Sequence, residues 1–122
     1  MTATSHPESD CVDFVLAVLD WLDGREVSTG TVDEAFSLLG EQRRRLLLDV
    51  MATYGEELTL PDVAEEVAVR ETGRNVTDLS AEEVADVYIS LYHDHLPRLV
   101  DTGLLAYDQE RDLVRPAAVR DF

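Results

Sequence analysis

The chain has 122 residues, and 26 Asp and Glu stand against ten arginines and no lysine, a formal net charge of −16. Hydrophobic residues make up 45%, enough for one domain with a modest core and an extra helix, and too many for a disordered chain. The single cysteine, Cys11, excludes an internal disulfide and a cysteine-based zinc site and points to a reducing compartment.

Residues 1–9 are small and polar and are predicted to be disordered. No signal peptide is expected there. Ser9 or Asp10 can cap a helix running to about Leu22. On it Val12, Val15, Leu16, Leu19 and Leu22 form one apolar stripe, and Cys11, Phe14, Val18 and Trp21 form a second beside it. So wide an arc requires burial on two sides. The stretch 23–31, DGREVSTGT, reads as a linker. Residues 10–30 are therefore the candidate dimerisation element. Phe14, Val18 and Trp21 are expected to meet their copies in a homodimer, while Val12, Leu16 and Leu19 pack on the 31–54 region. The apolar run CVDFVLAVLDWL is too short and too charged to span a bilayer, so no membrane association is expected, and the expected location is cytoplasmic.

A second helical pattern opens at Thr31, with Glu34 completing a capping box, and breaks at Gly40. EQRRRLLLDVMATYG follows, with Leu46, Leu47, Val50, Met51 and Tyr54 on one face and Gly55 as the stop. Thr59 caps the next helix, Pro61 sits in its first turn, and Leu60, Val63, Ala64, Val67 and Ala68 face inward. Residues 74–80 form a loop. Ser80, with Glu83 in the capping-box position, then starts a long helix that runs towards Thr102 and stops at Gly103. LLAYD and DLVRP read as two short strands around a tight turn, ended by Pro116, with residues 117–122 a loose tail. The fold class is mainly α with a small β-hairpin. A domain over 31–116 is preceded by an extra N-terminal helix.

The segment LYHDHLPRL is the natural place to look for chemistry. At 100° per residue, Val84, Val87, Tyr88, Leu91, His95 and Leu99 share one side of the long helix. His93 and His95 fall about 200° apart, so they cannot grip one metal ion from a helix. His95 is expected to be a satisfied, half-buried histidine and His93 to be exposed. Pro97 removes the donor to the His93 carbonyl and is expected to bend the helix without ending it. No phosphate loop, nucleophile elbow or helical His-Glu pair is present. The expectation is a protein that is not an enzyme, with no catalytic residues, no metal and no cofactor.

The excess of carboxylates over cations makes a small domain repel itself at ordinary ionic strength. In molar salt the Debye length shrinks to about 3 Å and that repulsion is screened. The complete absence of lysine points to this setting, a halophilic protein, rather than to an acidic binder of basic partners.

The stretch HLPRLVDTGLL, with His95, Leu96, Leu99, Gly103 and Leu104, followed by a hairpin, resembles the end of the recognition helix and the wing of a winged helix-turn-helix domain. The upstream LLGEQRRRLLLDVM resembles the first helix of such domains. Across 34–116 the LLGxxRRR start, the YxSLYHxHLPxLxxxG helix and the YD at the wing are similar to a winged-helix family widespread in haloarchaea whose function is uncharacterised. The resemblance implies a DNA-binding transcriptional regulator on double-stranded DNA. Helix 59–72 would cross the backbone, helix 80–102 would enter the major groove, and the wing, about 104–115, would touch the backbone. Base contacts would then come from Asp86, Ser90, His93 and Asp94, and phosphate contacts from Arg74, Arg111 and Arg115. Against this, Glu82, Glu83, Asp86 and Asp94 occupy the outward face with no cation between them, and Arg43, Arg44 and Arg45 fan over about 200° and form no patch. One of these arginine stems should lie along the core, and the others should be solvated or salt-bridged. The alternative is a winged-helix protein–protein interaction module. A positive stripe over the long helix and wing would favour DNA, and an acidic face with an apolar patch would favour a protein partner.

Overall fold

A computed structural model of the chain describes residues 7–119, with side chains from residue 10 onward. The chain divides between Glu34 and Ala35 into two compact units.

The first unit contains helix α1 (Pro7–Leu22). Residues 7–9 are thus helical and not disordered, because a proline fits the first turn, where its missing N–H is not needed. Residues 1–6 of the same expected stretch lie outside the described residues. After a turn at Gly24 (φ 78°), helix α2 (Thr29–Leu39) begins. Its cap is Ser28, not Thr31. The Ser28 hydroxyl oxygen accepts the Thr31 N–H at 3.1 Å, and its carbonyl accepts the Val32 N–H. Thr31 instead takes the Ser28 hydroxyl at 2.8 Å from inside the first turn.

The second unit opens on the end of α2 and continues through α3 (Gln42–Tyr54), β1 (Leu58–Thr59), α4 (Leu60–Thr72), a 3₁₀ turn (Val76–Asp78) and α5 (Ala81–Ser90). A π-helical turn (Leu91–His95) leads into α6 (Leu96–Asp101), β2 (Leu105–Asp108) and β3 (Leu113–Pro116). Gly55 and Gly73 close α3 and α4 in left-handed conformation, each donating its N–H to the carbonyl four residues back. The Thr59 hydroxyl oxygen accepts the Asp62 N–H, and Ser80 and Glu83 form the expected capping box.

The hairpin is part of a three-stranded antiparallel sheet in the order β1-β3-β2. Leu58 pairs with Val114 and Thr59 with Leu113. A two-residue strand has no alternation to read, which is why the sequence shows a hairpin alone. Residues 117–119 are not loose. Leu104 O accepts from Ala117 N–H and Val119 N–H, Gly103 O accepts from Ala118 N–H, and Val119 is buried. Residues 120–122 lie outside the described residues.

All five apolar residues expected to face inward from α4 are buried. On α3, Leu47, Val50 and Met51 are buried as expected. Tyr54 is exposed, and Leu48, Ala52 and the stem of Arg44 are buried instead. The buried face of α3 is wide because this helix meets α4, β3 and the π turn.

The long helix does not simply bend at Pro97. The Leu96 N–H donates to the Leu91 carbonyl five residues back, so one residue is inserted into the turn that lacks a donor at Pro97. The insertion shifts the helical phase. Leu96 would lie about 120° from the Val84 direction in a straight helix, yet it is 1% exposed, beside Leu91 and Leu99 at 0%.

Candidate interaction face and wing

Three features converge around the long helix: an apolar groove, a tyrosine-carboxylate cluster at the wing, and a set of paired arginines. The groove lies between the start of α4, the 3₁₀ turn and α5. Pro61, Leu79, Val84 and Ala85 form its floor and walls, with Val76 (45% exposed) and Ile89 (54% exposed) at the surface. Glu65 lines it as well. Ser80 fixes the start of α5, and Arg74 holds that corner by pairing with Glu83 and donating to the Asp78 carbonyl.

At the wing, Asp112 accepts hydrogen bonds from Tyr88 Oη (2.7 Å) and from Tyr107 Oη. Asp112 is also the one non-glycine residue with positive φ among the described residues, at 54°, a conformation that Asp tolerates. The turn between β2 and β3 is thereby tied to the long helix through Tyr88. Tyr92 stacks parallel to Tyr88 and edge-on to Tyr107, both at 6.2 Å, and its hydroxyl accepts from Gln109 Nε2 at 3.3 Å. The bond to Asp112 raises the Tyr88 phenol above its ordinary range, and burial followed by the same carboxylate raises Tyr107. Asp108 caps the loop by accepting the N–H groups of Glu110 and Arg111.

Among the described residues all nine arginines are engaged within the chain; the tenth, Arg120, lies outside them. Six face carboxylates: Arg43 with Glu71 (2.5 Å), Arg70 with Asp49 (2.5 Å) and Glu66 (3.5 Å), Arg74 with Glu83, Arg98 with Asp94 (2.6 Å), Arg111 with Asp108 (3.3 Å) and Arg115 with Glu57 (3.7 Å). Three donate to carbonyls: Arg44 to Leu38 (2.8 Å) and Ser37 (3.1 Å), Arg45 to Leu39, and Arg25 to Trp21. The triplet Arg43–Arg45 thus splits as anticipated: the middle stem is buried and caps the end of α2, and its neighbours are bridged or exposed.

The residues proposed for base contacts have different surroundings. Asp86 lines a small cavity with Arg43, Glu71 and Glu83, and its charge helps keep Arg43 protonated. Ser90 is half-buried. His93 is exposed, lies edge-on to Tyr92 at 4.9 Å, and lines a different cleft with Pro97, Tyr107 and Gln109. Asp94 is held below the usual carboxylate range by its bond from Arg98. Arg74, Arg111 and Arg115 are exposed but each already faces a carboxylate. Arg98 escaped the reading of the outward face. It lies on that helix and is 59% exposed, though paired.

His95 departs from expectation. It is buried at 7%, and its Nδ1 has no hydrogen-bond partner, with Asp94 Oδ2 at 3.7 Å. Burial lowers its pKa, the Asp94 charge opposes that, and Arg44 and Arg43 add to it. Among the described residues no three His, Cys, Asp or Glu side chains converge as a metal site. No helix there is long and apolar enough to cross a membrane.

Residues 36–115 match a family described only as a domain of unknown function, DUF7344. The chain belongs to the DUF7344 family. The match takes in the end of α2 and every later element up to Arg115 in β3, so the groove, the tyrosine cluster and all the paired arginines except Arg25 lie within the DUF7344 region. No curated protein matches the chain, and no solved structure does.

Proposed function

We propose that the DUF7344 region is a winged helix-turn-helix module that docks a protein partner through α5 and the adjoining groove, without catalysis of its own. The element order helix, strand, helix, helix, strand, strand, with a three-stranded sheet joined at β3, supports the winged-helix reading. Six of the nine described arginines face carboxylates, with all three candidate phosphate contacts, Arg74, Arg111 and Arg115, among them, and this carries the choice of partner. Non-specific DNA affinity comes from cations that neutralise phosphates. From Ala81 to Asp101 the helix carries Glu82, Glu83, Asp86, Asp94 and Asp101 against Arg98 alone, and Arg98 is paired. A phosphate would have to displace a carboxylate at each contact and face its neighbours. An apolar groove with Val76 and Ile89 at the surface suits the desolvated centre of a protein interface.

A second reading, a DNA-binding transcriptional regulator, rests on Arg98, Arg111 and Arg115, which remain 52–72% exposed despite their pairs. Exposed pairs are worth only about 0–1 kcal/mol and can be exchanged. One pair of measurements separates the readings. Genomic DNA fragments are titrated in about 1 M KCl, and a photo-crosslinking residue is placed at Ile89 and, as a control, at Asp49. The docking reading expects no DNA retention and a discrete crosslinked species from position 89 alone. DNA binding that Arg98→Ala or Arg111→Ala weakens for all sequences alike would overturn it.

A further inference from the structure

The first unit carries a second surface suited to association. On α1, Phe14 and Trp21 are 68% and 58% exposed. With Cys11, which is exposed, and Val18, which is half-buried, they recur at spacings of three and four. This spacing suits the heptad seam of a two-helix contact; Val12, Leu16 and Leu19, expected to pack on the 31–54 region, are exposed beside it. The next position in the series is Arg25, whose guanidinium lies 4.0 Å over the Trp21 ring and donates to the Trp21 carbonyl. Arg25 is the only lysine or arginine in residues 7–34, and it stands just beyond the C-terminal end of the helix. Asp10 and Asp13 stand near the other end.

These two facts select both the partner and the orientation. We propose that α1 pairs antiparallel with α1 of a second copy of this chain, about a two-fold axis between Ala17 and Val18. That register sets Phe14 against Trp21 of the second copy, twice, and Arg25 against Asp10 of the second copy, twice. A two-fold contact is self-complementary, so each pair formed once is formed again. A parallel pair would place Arg25 beside Arg25 and Asp10 beside Asp10. The carboxylates that flank the seam, Asp10, Asp13 and Asp20, disfavour an acidic partner unless it supplies a cation, and the antiparallel copy does.

The single natural cysteine makes the orientation measurable. In the antiparallel pair the two Cys11 residues lie roughly 20 Å apart along the axis, beyond the reach of a disulfide. In a parallel pair they would face each other. The full chain is examined by sedimentation and light scattering at about 100 μM in 2 M KCl, with and without a mild oxidant. The expected mass is twice 13.6 kDa, with no disulfide-linked species. Val18→Cys in a Cys11→Ser background, placed beside the axis, is expected to crosslink in most molecules. Phe14→Glu with Trp21→Glu is expected to give a monomer with unchanged helical circular dichroism. A monomeric parent up to about 500 μM would assign this surface to some other partner and overturn the proposal. Efficient crosslinking of the parent through Cys11 would overturn the orientation, and a dimer that survives Phe14→Glu/Trp21→Glu would overturn the seam.

Discussion

Arg44 shows how one residue can close two elements at once. Its stem is buried, and its guanidinium donates to the Ser37 and Leu38 carbonyls at the end of α2, which have no helical partner of their own. Arg44→Ala should therefore cost about 2–3 kcal/mol, while Arg45→Ala, at an exposed site, should cost under about 0.5 kcal/mol. Urea denaturation at constant KCl measures both. His95 makes a prediction with a definite sign. Burial lowers its folded pKa below the ordinary 6.5, so the unfolded chain binds this proton first. The contribution to stability is present above pH 6.5 and is lost as pH falls through the folded value. The thermal midpoint should decline between about pH 7 and 5, and His95→Gln should remove most of that slope. An unchanged slope would mean that His95 is not the residue responsible. Among the groups facing it, the charges of Asp94 and Glu41 favour the protonated imidazole, and those of Arg44 and Arg43 oppose it.

Among the elements, the long helix is the most informative. Pro97 leaves the His93 carbonyl without its helical donor, and the π turn takes up the defect by inserting one residue. The result places His95 and Leu96 in the core together. A straight or merely bent helix leaves Leu96 at the surface, where replacement by alanine is nearly neutral. The π turn buries it, so Leu96→Ala should cost about 2–5 kcal/mol. Arg98→Ala, two residues on and 59% exposed, should cost less than about 1 kcal/mol. Equal and small effects at both positions would contradict the turn. The wing is held to this helix by Asp112, which binds Tyr88 from α5 and Tyr107 from β2. That carboxylate thereby ties α5 to the strand hairpin.

For the whole molecule the dominant quantity is charge. A net −16 over 122 residues opposes compaction, and the net stability of a small domain is only about 5–15 kcal/mol. Raising KCl from about 0.1 M to 2 M shortens the Debye length from roughly 10 Å to 2–3 Å. The thermal midpoint should rise over that range. A gain of 2 kcal/mol alone would raise it by about 10 °C. A flat or falling midpoint would reject the reading of the chain as adapted to high salt. Six of the nine described arginines fit the same picture, since each lowers local repulsion by standing next to a carboxylate.

The sequence by itself determined the helices, their caps at Thr59 and Ser80, the glycine stops and the inward faces of α4, because these depend on residues one to four positions apart. It also determined that His93 and His95 point different ways, and that the arginines of 43–45 cannot form a patch. The tertiary structure decided what depends on distant neighbours. Strand β1 exists because Val114 and Leu113 lie beside Leu58 and Thr59. Val119 is buried because Gly103 and Leu104 accept the backbone around it. Leu96 is buried because the π turn between Ser90 and Leu96 shifts the helical phase. The proposed docking face follows the same division. Its acidity is written in the composition, but the groove beneath Ile89 forms only where α4, the 3₁₀ turn and α5 meet, and burial by a neighbouring element leaves no periodic mark in a single sequence.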